Sequence, residues 1–281
     1  MLRGIAADPA ARALNDDCAV LEIGGKTLVL THDMMAQGTH FLPDADPADL
    51  AWKLVAANVS DLAAKGARPV GALLGYMLGP DDARFLEGLT EALSHYGMPL
   101  LGGDTISGNG PQVVGLTAIG EATALPVPSR SGARAGDELW ITGPVGAAMM
   151  GLEALQADCG DSLAYRRPQA RLAEGIVLAP LVTAMMDVSD GLLLDGRRMA
   201  EASGVTLTLD THAVPLAAPE NRRDDALRWG DDYELLFTTP PGTKPPVPAC
   251  CIGVAISPAG VPLLIDGSGP APDDRLGFEH S

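Results

Sequence analysis

The sequence predicts an α/β (α+β) chain folded as two domains, and three observations carry that prediction. At 281 residues the chain is long for a single core, and its 47% hydrophobic content is enough to bury two. Short β-prone runs recur between segments whose apolar residues repeat at helical spacing. Near the middle, Leu125-Pro126-Val127-Pro128 interrupts this pattern and sets the candidate domains at residues 1–125 and 126–281. The 33 glycines and 23 prolines imply many tight turns, while 20% charged residues with regular apolar periodicity argue against disorder.

The first two strands are expected at 18–23 and 27–31, joined through Gly24-Gly25 as a hairpin. Asn15-Asp16-Asp17 precedes the first strand and Thr31-His32-Asp33 ends the second, so the antiparallel return brings their carboxylates to one end. A loop over 34–46 carries Gly38, His40 and Phe41. The helix that follows has Asp46 as N-cap, Pro47 in its first turn, Gly66 as C-cap and Pro69 as its stop. Leu54, Asn58, Asp61, Leu62 and Lys65 share one face of it. An ionised Asp61 on a buried face needs a partner, either Lys65 one turn on or a cation.

Residues 70–78 read as an apolar strand, and Gly79-Pro80-Asp81 starts a second helix that buries Phe85, Leu86, Leu89, Leu93 and Tyr96 before Gly97 closes it. A short strand at 98–101 runs into Gly102-Gly103-Asp104-Thr105, where two glycines allow close backbone approach, and 112–121 is the next strand. Beyond the proline break, Arg130 in a Gly- and Ser-rich loop can fork onto phosphate oxygens or serve as a solvated linker residue. A strand is expected at 138–142, a helix from Gly143-Pro144-Val145-Gly146 to about 156, and another from Pro168. Asp187, Ser189 and Asp190 precede the next helix and are more polar groups than one cap requires. Further strands are expected at 205–209, 235–238, 250–256 and 261–265, with Asp231-Asp232-Tyr233-Glu234 leading into the second of these.

Asp+Glu at 36 against Lys+Arg at 19 gives a net charge of −17, which repels a nucleic-acid backbone and leaves metal cations as the route to any phosphate ligand. Cys18, Cys159, Cys250 and Cys251 form no C-x-x-C pair and read as reduced thiols of a cytoplasmic protein. No export or membrane signal is apparent, and there is no Walker loop, G-x-S-x-G elbow or zinc-protease histidine spacing.

Asp17, Asp33, Asp61, Asp104, Asp187 and Asp190 all fall near strand ends or helix starts. Two carboxylates ~4 Å apart repel by roughly 4 kcal/mol at an effective dielectric near 20, so convergence of several implies metal. Oxygen ligands suit magnesium, which keeps few carboxylates and shares its other positions with phosphates, so a nucleotide phosphate is the natural ligand.

These motifs, together with Asn15-Asp16-Asp17-Cys18, Gly38-Thr39-His40-Phe41, Asn58-Val59-Ser60-Asp61-Leu62-Ala63-Ala64-Lys65-Gly66-Ala67, Gly102-Gly103-Asp104-Thr105, Asp187-Val188-Ser189-Asp190-Gly191 and Asp231-Asp232-Tyr233-Glu234, stand in the order seen in the thiamine-monophosphate kinase family. The chain resembles that family over nearly its whole length, and through it the aminoimidazole ribonucleotide synthase superfamily. The resemblance implies a two-domain synthase-like fold: an N-terminal mixed sheet with helices on one face that pairs in a homodimer, and a C-terminal α/β domain completing the cleft. It implies direct transfer of the γ-phosphoryl of ATP to thiamine monophosphate with several Mg2+ ions. By position, Asp17, Thr31, His32, Asp33, Asp61, Asp104, Asp187 and Asp190 correspond to the metal set, with Asp33, Asp61, Asp104 and Asp190 nearest the chemistry. Gly103, Asp104, Arg130 and Ser189 correspond to the ATP contacts, and His40, Asp231 and Phe278 to those of the thiamine end. The chain departs from the family pattern at Asn15 and Trp229, both usually Gly, at His32, usually Thr, and at Asp231, usually Glu. Those departures keep two alternatives open: a related ATP-dependent synthase or ligase, and a non-catalytic magnesium-nucleotide binding module.

Overall fold

The structure, a computed structural model, describes residues 4–279. The N-terminal half forms one mixed sheet from β1 (Ala19–Ile23), β2 (Lys26–Ala36), β3 (Ala67–Met77), β4 (Leu100–Ile106) and β5 (Val113–Ala122), in the order β1-β2-β5-β3-β4. Only β3 and β4 run parallel. The Gly24-Gly25 turn has φ of 58° and 79°, positive values that glycine adopts without strain and that match the strand twist of a two-residue hairpin.

Two expected strand limits are corrected. β2 continues to Ala36, beyond the expected end at Thr31, because β5 pairs with it from Leu28 to Ala36. β4 extends to Ile106, because its parallel pairing with β3 carries Gly102-Gly103-Asp104 inside the strand and not after it.

Helix α1 (Pro47–Ala64) lies on one face of this sheet with α2 (Asp82–His95) beside it. Asp46 caps α1 by accepting from the Ala48 amide at 2.9 Å, and Gly66, φ 57°, follows its end. Every residue from Ala48 to Ala64 is buried, so α1 is enclosed on all sides and not along one stripe. Its neighbours are β2, β5 and α2, together with α5 (Leu172–Leu178) and β7 (Ala184–Asp187) of the C-terminal half. α1 is therefore the element on which both halves pack.

The second sheet contains β6 (Glu138–Ile141), β7, β8 (Thr206–Leu209), β9 (Leu235–Thr239), β10 (Cys250–Ile256) and β11 (Leu263–Ile265), in the order β11-β8-β10-β6-β9-β7. Helices α3 (Ala147–Gln156), α4 (Leu163–Arg166), α6 (Leu192–Ser203) and α7 (Arg223–Arg228) complete this half. The helix expected from Pro168 begins at Leu172 as α5. β7 is the edge strand nearest α1, and a small core of Ala63, Ala64, Leu178, Met185, Leu235 and Phe237 joins the halves there. Among the described residues, no helix is long and apolar enough to cross a membrane.

Candidate active site

Three carboxylates converge where α1 meets β7. Asp17, Asp61 and Asp187 each offer an oxygen within 4.8 Å of the others. Asp17 precedes β1, Asp61 projects from α1 and Asp187 ends β7, so the cluster draws on both halves of the chain. Strand alternation turns Thr31 and Asp33 of β2 toward α1. There the Thr31 hydroxyl donates to Asp61 Oδ2, and the Asp33 amide donates to Asn58 Oδ1 at 3.2 Å. Ser60 donates to Asp187 Oδ2 at 2.6 Å.

The cations lie to one side of this cluster. Lys65 is fully buried, and its ammonium donates to Asp16 Oδ1 at 2.5 Å and Asp17 Oδ2 at 3.0 Å. The question posed by the helix spacing is thus answered: Lys65 pairs with Asp16 and Asp17, not with Asp61. Arg130 donates to Asp17 Oδ1, and Arg12 holds Asp16 Oδ2 at 2.5 Å together with the carbonyls of Val127 and Pro128. Burial works against the charge on Asp17, but Lys65 and Arg130 outweigh it and hold the carboxyl below its usual range; burial likewise opposes the charge on Asp16, but Lys65 and Arg12 lower it to about 2. The other carboxyls have no such neighbours. Burial first, and then Asp33, Asp187 and Asp17, push Asp61 well up; burial and Asp17 push Asp187 to about 8 and Asp33 to about 6. Buried oxygens close together and short of positive charge make a donor set that fits a hard divalent cation.

The cluster opens on a cleft of about 760 Å³ lined by Asp33, Asp61, Asp187, Ser189 and Asp190, and also by His40, Lys53, Tyr165, Asp231, Tyr233 and Phe278. Asp190 is fixed by Arg198, and its amide donates to the buried Asp195 at 3.0 Å. Gly191 follows at φ 114°, where a Cβ would stand 2.6 Å from the Arg228 carbonyl oxygen, so the turn into α6 requires glycine. Asp231 accepts from Lys53 at 2.6 Å and from the Tyr233 hydroxyl at 3.0 Å.

Of the residues expected from sequence, Asp17, Thr31, Asp33, Asp61 and Asp187 come together, and Ser189, Asp190, His40, Asp231 and Phe278 line the cleft they open on. Two of the expected residues stand apart from the cluster within one chain. His32 lies on the opposite face of β2 from Thr31 and Asp33, exposed, with Nδ1 2.8 Å from Thr117 Oγ1, because side chains alternate along a strand. Asp104 is exposed on the edge strand β4, and the pairings Asp104↔Gly75↔Gly115↔Met34 place it on the His32 face. Three strand spacings, roughly 14 Å, separate it from β2, so a single chain does not bring Asp104 or Gly103 to the cluster. Arg130 is bound to Asp17, with its Nε buried and unpartnered. Sequence reasoning missed Lys53, Tyr165, Tyr233 and Asp195. A signal existed for Lys53, since positions 53, 57 and 61 follow in steps of four and share the Asp61 face.

The AIR synthase related protein model matches the chain over residues 15–122 for its N-terminal domain and 134–257 for its C-terminal domain. Thiamine-monophosphate kinase of Salmonella typhimurium is 37% identical over 286 residues, covering 94% of this chain and 86% of the relative. The Escherichia coli K12 protein of the same name is 36% identical, covering 95% and 91%. The structure of AaThiL complexed with AMPPCP and TMP superposes with a TM-score of 0.87 at 28% identity, over 99% of this chain and 94% of that one. The thiamine monophosphate kinase of Aquifex aeolicus gives 0.82 at 29% identity, over 91% and 93%. With matched domains in the same order and relatives above 30% identity over nearly the full length, the chain belongs to the thiamine-monophosphate kinase family of AIR synthase related proteins.

Proposed function

We propose that this protein transfers the γ-phosphoryl group of ATP directly to thiamine monophosphate, yielding thiamine diphosphate and ADP. The observation that carries the reading is the meeting of Asp17, Asp61 and Asp187 at a cleft of about 760 Å³, in a chain 37% identical to a thiamine-monophosphate kinase. Asp17, Thr31, Asp33, Asp61, Asp187 and Asp190 would hold magnesium, which when bound screens the charge of the phosphates. The protein's own part is to position donor and acceptor and to exclude water, and an acceptor phosphate arrives already deprotonated and needs no strong base. Arg130 and Ser189 are assigned to ATP, and His40, Asp231 and Phe278 to the thiamine end.

The same reading makes residues 1–125 the metal, nucleotide and pairing domain and residues 126–281 the domain that completes the cleft, in a cytoplasmic homodimer. Pairing is supported by the open face of the first sheet, where Met34 and Ile106 are each 56% exposed and Leu73 42%. A second copy set against that face would supply the Asp104 and Gly103 that one chain holds too far away.

The deciding experiment is a product assay with ATP, Mg2+ and a panel of phosphorylated acceptors. Thiamine diphosphate and ADP in equal amounts are the expected result. ATP turnover that releases phosphate with another acceptor would replace this reading with a synthase or ligase, and tight ATP binding without turnover would replace it with a binding module.

A further inference from the structure

Lys53 lies on the Asp61 face of α1 and is only 3% exposed. Its ammonium donates to Asp231 Oδ2 at 2.6 Å and to the His40 carbonyl at 3.3 Å, and stands 4.0 Å from the centre of the Tyr165 ring. A buried ammonium needs such partners, because removing it from water is costly. Asp231 is then gripped from two sides, its other oxygen accepting from the Tyr233 hydroxyl at 3.0 Å.

The backbone there is also constrained. Asp231 and Tyr233 have φ of 63° and 51°, and their amides donate to the carbonyls of Ser189 and Val188, each at 2.9 Å. Non-glycine residues keep such values only where the surroundings over-determine them. Lys53 and Tyr165 further line a second cavity of about 600 Å³ beside Phe41, Leu50 and Leu155, so the two side chains stand in the wall between it and the cleft.

We infer that Lys53 is a positioning residue for the acceptor: its ion pair holds the Asp231 carboxylate in one orientation toward the cleft, so that a cationic heteroaromatic acceptor meets a fixed, neutralised pair and not a mobile anion. This rests on the kinase reading above, with thiamine monophosphate as the acceptor. Because Lys53 acts through Asp231, its loss weakens acceptor binding and leaves the nucleotide side alone.

The test is steady-state kinetics of the full chain with Lys53→Met and Lys53→Arg. In Lys53→Met the KM for thiamine monophosphate is expected to rise about tenfold, while kcat and the KM for ATP stay within about twofold; Lys53→Arg, which keeps the charge, restores most of the difference. If Lys53→Met does not fold, Lys53→Leu, which likewise offers no donor to Asp231, carries the same expectation. An acceptor KM that is unchanged or lower in a folded, charge-free variant overturns the assignment of Lys53 while the kinase reading stands. A wild-type chain that forms no thiamine diphosphate overturns both.

Discussion

Asp61 and Asp187 face other carboxyls, whereas Asp17 faces Lys65 and Arg130, and that asymmetry governs what substitution does. Asp61→Asn removes a repelled charge, so the metal-free protein should melt at the same or a higher temperature while kcat falls on the order of 10³-fold. A near-normal rate in that variant would remove Asp61 from the site. Proton linkage gives a second expectation. Asp33, raised to about 6, and Asp187, raised to about 8, hold protons when folded that the unfolded chain has lost above 3.8. Their contribution is therefore most favourable at acid pH and is lost as pH rises from about 4 to 8. Asp16, lowered to about 2, works in the opposite sense but below 3.8, outside that window. Magnesium competes for the deprotonated form, so it should raise the melting temperature more at pH 8 than at pH 5.5, by up to about 2.7 kcal/mol of stability at a hundredfold excess over its Kd. Equal shifts at both values would count against a metal at these carboxyls.

At the scale of elements, α1 was legible from its cap, its proline and its closing glycine, and Asp61 and Lys65 were legible as residues of one face. The partner of Lys65 was not, because Asp16 and Asp17 reach it through chain folding across nearly 50 positions and no local spacing records that. The ends of β2 and β4 were misread for a related reason: a strand stops where its neighbour stops, and β5 and β3 extend them past the point where local composition changes. His32 and Asp104 stand apart from the cluster for one reason, since motif order fixes neighbours along the chain but not the side of a sheet. The packing of α1 on α2 is close enough to test. A Cβ at Gly88 would lie 2.2 Å from the Ala48 carbonyl oxygen, so Gly88→Ala should destabilise by about 1–3 kcal/mol in denaturant titrations with an unchanged slope. No loss of stability would mean that the two helices separate at little cost.

For the whole molecule, the distance between Asp104 and the cluster becomes a question of assembly. If a second copy completes the site, Asp61→Asn and Asp104→Asn chains are each inactive, but mixing them by co-refolding should recover roughly a quarter of the wild-type rate, because half of the dimers then contain one intact site of two. Recovery of nothing, with dimers seen by sedimentation, would place both residues in one chain's site. The fold itself was legible because alternating strands and helices with a proline break leave few ways to layer a chain of this length.

The pinning of residues 12–17 has a further consequence for how the chain is made. Arg12 is tied to the carbonyls of Val127 and Pro128, and Asp17 to Arg130 as well as to Lys65, so the contacts of the first acidic segment are completed by groups synthesised more than a hundred positions later. On the ribosome those last contacts wait until the interdomain linker emerges. The final pinning of residues 12–17 is thereby timed to the birth of the second half.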